Sequence, residues 1–466
     1  MATYQLEPDP IASRGDVIAG DPGQRGVDKI LLGRLIESGP RRRLFLDVSG
    51  EQVVAILGKR GTGKSYTLGV LLEGLAAGNG ATQLAELQTP RAGLVFDLMD
   101  IFWTSRIQLT ETGSVEITKQ YRAMTAGGYH SQPVAVDAWI PAGFESPQID
   151  PAGLTPLHMQ ASDLELDDWG ALFDVDIFNE PRGMLIADAL THVSRDGYTT
   201  SNGGRVQPVA NYSFADILQC LDTDQDVLQN YRPETIRSIR QRMMSYAGLA
   251  LFSGTGTALT GLLQPFRVSV LMLARVPDAL KKVIVAVLLK RILRVRRDAS
   301  FAQKRLDLDS SLSDEEAGRL REFIRTSIPR TWVLMDEAHV LAGTSEGSVA
   351  RDALIKYAKE GRNYGLSLAV ATQQPSALDP RLMSQAETLI VHQLTSPSDA
   401  AVATANLRSP APSSLKIDGA AASLDMLLRR IGQGDAVFSC GNAPALQRIC
   451  LAAVRPRVTA HGGYEA

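Results

Sequence analysis

Gln52-Val53-Val54-Ala55-Ile56-Leu57-Gly58-Lys59-Arg60-Gly61-Thr62-Gly63-Lys64-Ser65 decides the fold. Every residue from Val53 to Leu57 is aliphatic, the pattern of a strand buried on both faces of a sheet. The next eight residues fit G-x-x-x-x-G-K-[ST], and an apolar stretch from Lys64 to about Ala77 predicts a helix. Strand, glycine loop and helix in that order form a phosphate cradle. Glycines let backbone N–H groups turn inward, and the helix N-terminus adds its positive dipole end. Gly58, Lys59, Arg60, Gly61, Thr62, Gly63, Lys64, Ser65 and the adjoining Tyr66 are therefore the expected ATP-binding residues. Lys64 is placed for the β- and γ-phosphates, and the Ser65 hydroxyl for a Mg2+ ion.

Such a loop needs an acidic partner at the end of a second apolar strand. Trp332-Val333-Leu334-Met335-Asp336-Glu337 supplies it, with Asp336 for Mg2+ and Glu337 to polarise the attacking water. Asp97, at the end of Gly93-Leu94-Val95-Phe96-Asp97, competes for the metal role but has no glutamate after it. His339 reads as a packing or hydrogen-bonding residue before it reads as a catalyst. Gln373 ends the strand that follows the acidic one and is expected near the γ-phosphate; the plain alternative is a turn residue. Arg362 lies in Lys359-Glu360-Gly361-Arg362-Asn363-Tyr364-Gly365, just before the Leu366 strand. There it is either a solvated surface arginine or a charge for the γ-phosphate of a neighbouring subunit, expected beside the crevice at the carboxyl ends of the strands.

Around this centre the chain divides in four. Residues 1–50 are a flexible lead-in to about residue 28 and then a short β-rich segment, with a hairpin across Ile30–Val48 turning at Gly39–Arg43. Residues 51–103 are the first part of an ATPase core. Residues 104–264 are an insertion, loop-rich at first, with helices at Ala215–Asn230 and Pro233–Leu251. Residues 265–466 resume the core: strand Arg267–Ala274, helix Pro277–Arg297, a polar stretch Phe301–Arg330, strand Thr331–Asp336, helix Ser348–Glu360 and strands Leu366–Thr372, Leu389–Leu394, Asp435–Ser439 and Ala445–Val454. Strands alternating with helices predict an α/β fold with a doubly wound, mainly parallel sheet.

The 466 residues carry 48 Lys plus Arg against 51 Asp plus Glu, a net charge of −3, so any nucleic-acid contact is local. The helix from Lys281 to Arg297 has seven basic residues and no acidic one, and Asp163–Glu180 is acidic with no basic one. Each reads as a solvated face, the basic helix alternatively as a nucleic-acid contact. Three scattered cysteines form neither a disulfide framework nor a metal-ligand spacing. No run approaches the ~18–20 apolar residues of a membrane span, and the N-terminus lacks a signal peptide's layout, so a cytoplasmic chain is expected.

The ordered set Gly58–Leu75, Leu94–Trp103, Arg267–Leu273, Trp332–Gly343, Gly361–Pro380 and Gly432–Phe438 resembles the HerA-type ATPases of the HerA/FtsK group of RecA-like motors, over roughly residues 29–455. The resemblance implies that the doubly wound sheet is RecA-like. It also implies a hexameric ring that moves along double-stranded DNA using ATP and Mg2+, with a nuclease or other effector partner. It gives Lys64, Ser65, Asp336, Glu337, Gln373 and Arg362 the roles above, Arg362 acting on the adjacent protomer. The family opens with a β-barrel larger than the segment before Gly58, which sets docking of a nuclease by that barrel apart from the expectation. The alternative function is an oligomeric nucleotide-binding scaffold of an antiviral defence complex, with little translocation.

Overall fold

The computed structural model describes residues 2–10, 15–20, 28–37, 42–344, 348–441 and 446–463. The aliphatic run Val53–Leu57 is the buried strand its composition demands, every residue inside. It lies in the middle of a sheet of 15 strands. The parallel heart of that sheet runs, in spatial order, Leu154–Leu157, Val136–Pro141, Arg267–Met272, Arg91–Asp97, Arg330–Met335, Leu366–Thr372, Val53–Leu57 and Thr388–Val391. Asp435–Cys440 and Cys450–Val454 then join antiparallel, followed by the Lys29–Leu35/Arg43–Asp47 hairpin. This is a mixed α/β fold on a mainly parallel sheet. One core packs the Lys64–Leu75 helix against one face, and another holds the Asp278–Leu308 helix and the helices that follow Leu164 in the 104–264 region; a small third cluster holds Met124 of Val115–Ala126 against Leu84 and Val458.

Several elements depart from the sequence expectation. The described residues of the lead-in include two strands: Tyr4–Glu7 pairs antiparallel with Ser414–Ile417, burying Tyr4 and Leu6 and exposing Gln5 and Glu7, and Val17–Ala19 pairs parallel with Arg43–Asp47; residues 11–14 and 21–27 lie outside the described residues. Both strands are too short for their period of two to stand out among Pro and Gly. The start of the 104–264 region is not loop-rich. It holds helices Val115–Ala126, Leu166–Phe173 and Pro181–Thr191, and two of its strands extend the main sheet. The stretch after Phe301 is helical too. The long helix continues to Leu308, since no Gly or Pro interrupts it, and Ser313 and Glu316 form a capping box that opens a second helix, Asp314–Thr326. The helix expected over Ala215–Asn230 breaks at Asp224, which leaves helical geometry to cap Gln225–Asn230. Part of the turn expected at Gly39–Arg43, and the residue Ala445 at the start of the last strand, lie outside the described residues.

Charge explains two composition biases. Lys290 meets Glu165, Asp167 and Asp168, Arg291 meets Asp163, and Arg294 meets Glu165, so the acidic stretch and the basic helix neutralise one another. A second network locks the segment after the last strand onto the phosphate-loop helix. Glu73 is fully buried and takes Arg455 at 2.7 Å, Arg457 at 3.2 Å and the Thr459 hydroxyl at 2.7 Å. Burial alone would raise its carboxyl pKa; the two arginines outweigh it and hold the group below its ordinary range.

Candidate functional site

The glycine loop follows the carboxyl end of Val53–Leu57, where a parallel sheet leaves a crevice. Gly61 and Gly63 have φ of 76° and 120°, a backbone region that side chains rarely enter. Gly58 is required for a different reason: a Cβ there would lie 2.7 Å from His392 Cβ. The first intrahelical bond runs from Thr67 N–H to the Gly63 carbonyl at 2.8 Å, so the amides of Lys64, Ser65 and Tyr66 precede the ladder and are free for an anion. The Lys64 ammonium lies inside the loop and donates to the Lys59 carbonyl at 3.0 Å. Its burial lowers its pKa, and the Glu337 and Asp336 carboxylates oppose that shift. Lys59 and Arg60 are exposed at the rim. The Tyr66 side chain turns away, its oxygen accepting from Arg457 N–H at 2.6 Å, which leaves only its backbone at the loop.

Arg330–Met335 delivers the carboxylates. Asp336 is buried, which raises its pKa; the Ser65 hydroxyl bonded to it is the largest opposing influence. Glu337 follows with φ 50°, a left-handed conformation that swings its side chain off the strand line toward Lys64. Burial, then the neighbouring Asp336, raises its pKa, and the Gln373 backbone N–H bonds to its carboxylate. Its Oε2 is buried with no hydrogen-bond partner, at 3.4 Å from His339 Nδ1. His339 Nδ1 is bonded instead to Thr372 Oγ1 at 3.1 Å, and burial, then Lys64, lowers its pKa.

Lys64, Ser65, Asp336, Glu337 and Gln373 thus meet at one point. The donor set fits a magnesium nucleotide: a hydroxyl and a carboxylate side by side, an ammonium, free helix amides and one orphaned carboxylate oxygen. Asp97 is not part of it. Its carboxylate accepts the Phe102 and Met99 amides at 2.7 and 3.3 Å, and burial pushes its pKa up to about 7. Arg362 is also elsewhere, contrary to the expected crevice. It sits in the turn Gly361–Tyr364 that precedes Leu366–Thr372, whereas Gln373 follows that strand. The two lie at opposite ends of seven strand residues, about 20 Å apart. Arg362 is ion-paired with Glu387 and lines a cleft of 1130 Å³ at the amino edge of the sheet, with Arg296, Arg330 and Glu51.

Residues that sequence reasoning passed over complete the loop. His392, just past Thr388–Val391, accepts from Thr67 Oγ1 at 2.8 Å through Nε2 and donates from Nδ1 to the Asp435 carbonyl at 2.9 Å. Burial drops its pKa to about 4, so it is a neutral wedge under the glycines. Gln433 donates to the Gly61 carbonyl and Gly434 N–H to that of Thr62, at 2.9 and 3.1 Å. A polar residue just past a strand adjacent to the phosphate-loop strand was the available signal.

Among known proteins, the family model for the central domain of the helicase HerA matches residues 30–292. The DNA double-strand break repair helicase HerA of Pyrococcus furiosus is 28% identical over 181 residues, 37% of this chain and 32% of that protein. A probable helicase of Methanocaldococcus jannaschii is 34% identical over 68 residues, 15% of this chain and 13% of its own length. The alignments therefore span a third or less of these relatives. VirB4 of Thermoanaerobacter pseudethanolicus shares the fold, with a TM-score of 0.51 at 16% identity, over 93% of this chain and 98% of that one. Among the described residues no helix is long and apolar enough to cross a membrane. The family match covers more than half of the chain and begins within the hairpin strand that leads to the phosphate loop; the chain belongs to the HerA helicase central-domain family and is a P-loop ATPase.

Proposed function

We propose that this chain is an ATP-driven DNA motor: a hexameric ring that moves along double-stranded DNA, working with a nuclease or other effector. Support comes from the family and from the helicase names of its relatives. The observation that carries the reading is the separation of Arg362 from Lys64 and Glu337 across the sheet. One chain holds a hydrolytic half-site on one edge and an exposed arginine on the other, so a second copy is what completes the pair. Lys64 and the free amides of the first helical turn bind the β- and γ-phosphates of ATP. Ser65 and Asp336 hold Mg2+, which neutralises phosphate charge when bound. Glu337 polarises a water through its orphaned Oε2 and takes up its proton as oxygen bonds to the γ-phosphorus and the bond to the bridging oxygen breaks. Gln373, whose amide touches Glu337, relays the state of the γ-phosphate to the Leu366–Thr372 strand. Arg362 of the adjacent copy neutralises transition-state charge.

Electron microscopy with ATP and duplex DNA, paired with ATP turnover with and without that duplex, tests this reading. A ring threaded by DNA with stimulated turnover is expected. A ring or fixed complex without DNA and with unstimulated turnover replaces it with the scaffold function; hydrolysis by a lone monomer removes Arg362 from the reaction.

A further inference from the structure

Three helical segments of the 104–264 region bring His192, Cys220 and Asp224 to one point. His192 opens a single π-helical turn, His192–Asp196, that continues the Pro181–Thr191 helix. Such turns insert an extra residue into a helix and recur at functional sites. Cys220 is on the buried face of Phe214–Thr223, and Asp224 stands four residues on, where that helix stops and Gln225–Asn230 starts. Asp224 Oδ2 accepts from His192 Nδ1 at 2.5 Å and from Cys220 Sγ at 3.5 Å, while Oδ1 accepts the Asp226 N–H at 3.0 Å. Cys220 and Asp224 are 0% exposed, and the His192 side chain, at 23%, reaches solvent.

We infer that His192, Cys220 and Asp224 form a site for one divalent transition ion of the zinc type, clamping the three helical segments together. The ligand atoms lie within 4.8 Å of one another, and among the described residues this is the one such group. An imidazole, a thiol and a carboxylate are the donors that zinc selects. With bond lengths of about 2.0 Å to N and O and 2.3 Å to S, tetrahedral edges are about 3.3–3.5 Å. The Cys220–Asp224 separation has that length already, and the partly exposed His192 ring opens its shorter contact by turning about its side-chain bonds.

Charge argues the same way. A thiolate, a carboxylate and a neutral imidazole cancel a doubly charged ion, so the loaded site is uncharged, whereas the bare one buries the Asp224 carboxylate among polar hydrogens. On binding, the Cys220 thiol gives its proton to solvent, and the His192 proton that Nδ1 donated to Asp224 also leaves while Nε2 takes one up from solvent, so the neutral ring offers Nδ1 to the metal. The Asp226 N–H keeps the carboxylate oriented. Water takes the fourth position, from the exposed His192 side. The inference is independent of the motor reading.

The test is titration of the whole chain, stripped by a chelator, with Co2+ alone. One equivalent should produce a thiolate-to-cobalt charge-transfer band and tetrahedral d–d bands, both removed by Zn2+. Cys220→Ser should lose the charge-transfer band. His192→Gln, at a partly exposed position and still able to bond Asp224, should keep its circular dichroism and bind Co2+ about tenfold or more weakly. No band in the folded wild type, a band that survives Cys220→Ser, or unchanged affinity in His192→Gln would overturn the site and leave a hydrogen-bonded helix cap.

Discussion

Glu337 sits in a backbone region that costs a non-glycine residue about 1–3 kcal/mol, at the one place where that geometry aims a carboxylate at Lys64. Glu337→Gln should therefore keep ATP bound while hydrolysis falls by about 10²–10⁴; Lys64→Ala should abolish tight binding itself, because the ammonium contacts ground-state phosphates. Nucleotide-binding titrations beside phosphate-release assays separate the two, and near-normal turnover in Glu337→Gln would refute the role. The pH profile follows from the same pair. Burial and Asp336 raise the Glu337 pKa, so this base is protonated, and turnover lost, at a higher pH than for an ordinary glutamate as the solution is acidified. Burial lowers the Lys64 pKa, so its charge is lost sooner on the alkaline side. The plot of kcat/KM against pH should be a bell narrowed from both sides; full activity down into the ordinary glutamate range would contradict it.

Lys290 and Asp168 join the long helix to the Leu166–Phe173 helix, and Asp168 is fully buried. Lys290→Met should strand that carboxylate and cost about 3 kcal/mol, read as a fall in melting temperature, and adding Asp168→Asn should recover much of it. Arg362 is the opposite case, itself exposed and paired with the half-buried Glu387, a surface ion pair whose loss costs about 0–1 kcal/mol. Arg362→Ala should thus stay folded and bind ATP yet lose about 10³ in rate, and mixing it with Glu337→Gln under subunit exchange should restore some turnover; full activity in Arg362→Ala would remove the finger. These elements show what the sequence makes legible. The strands at Val53, Arg267, Arg330 and Leu366, and the meeting of Lys64, Ser65, Asp336 and Glu337, could be read because burial on both faces and loop chemistry are local signals. That the Asp163–Glu180 stretch faces the basic helix could not, since each composition alone is equally a solvated surface. Arg362 does precede the Leu366 strand as read, but a loop that leads into a parallel strand lies at the sheet's amino edge and not beside the carboxyl-end crevice expected for it. His392 was missed because its partners, Thr67 and Asp435, are remote along the chain.

Over the whole chain, a net charge of −3 leaves any duplex binding to local cations, and the ion pairs of Lys290, Arg291 and Arg294 take that stretch of helix out of the candidates. DNA affinity should fall with salt at a log–log slope of about −0.9 per phosphate contacted and vary little with base sequence. Filter binding that is flat in salt would contradict backbone recognition. The Glu73 network has a further consequence, in time rather than in space. Arg455 is synthesised 382 residues after Glu73. At about 5–20 residues per second, that interval lasts on the order of 20–80 s. Throughout it the phosphate-loop helix carries a carboxylate that burial penalises and no arginine yet offsets. A nascent chain stalled before Arg455 should leave that helix open to protease, and release of the finished chain should close it, so that nucleotide binding arises only after synthesis has passed this segment.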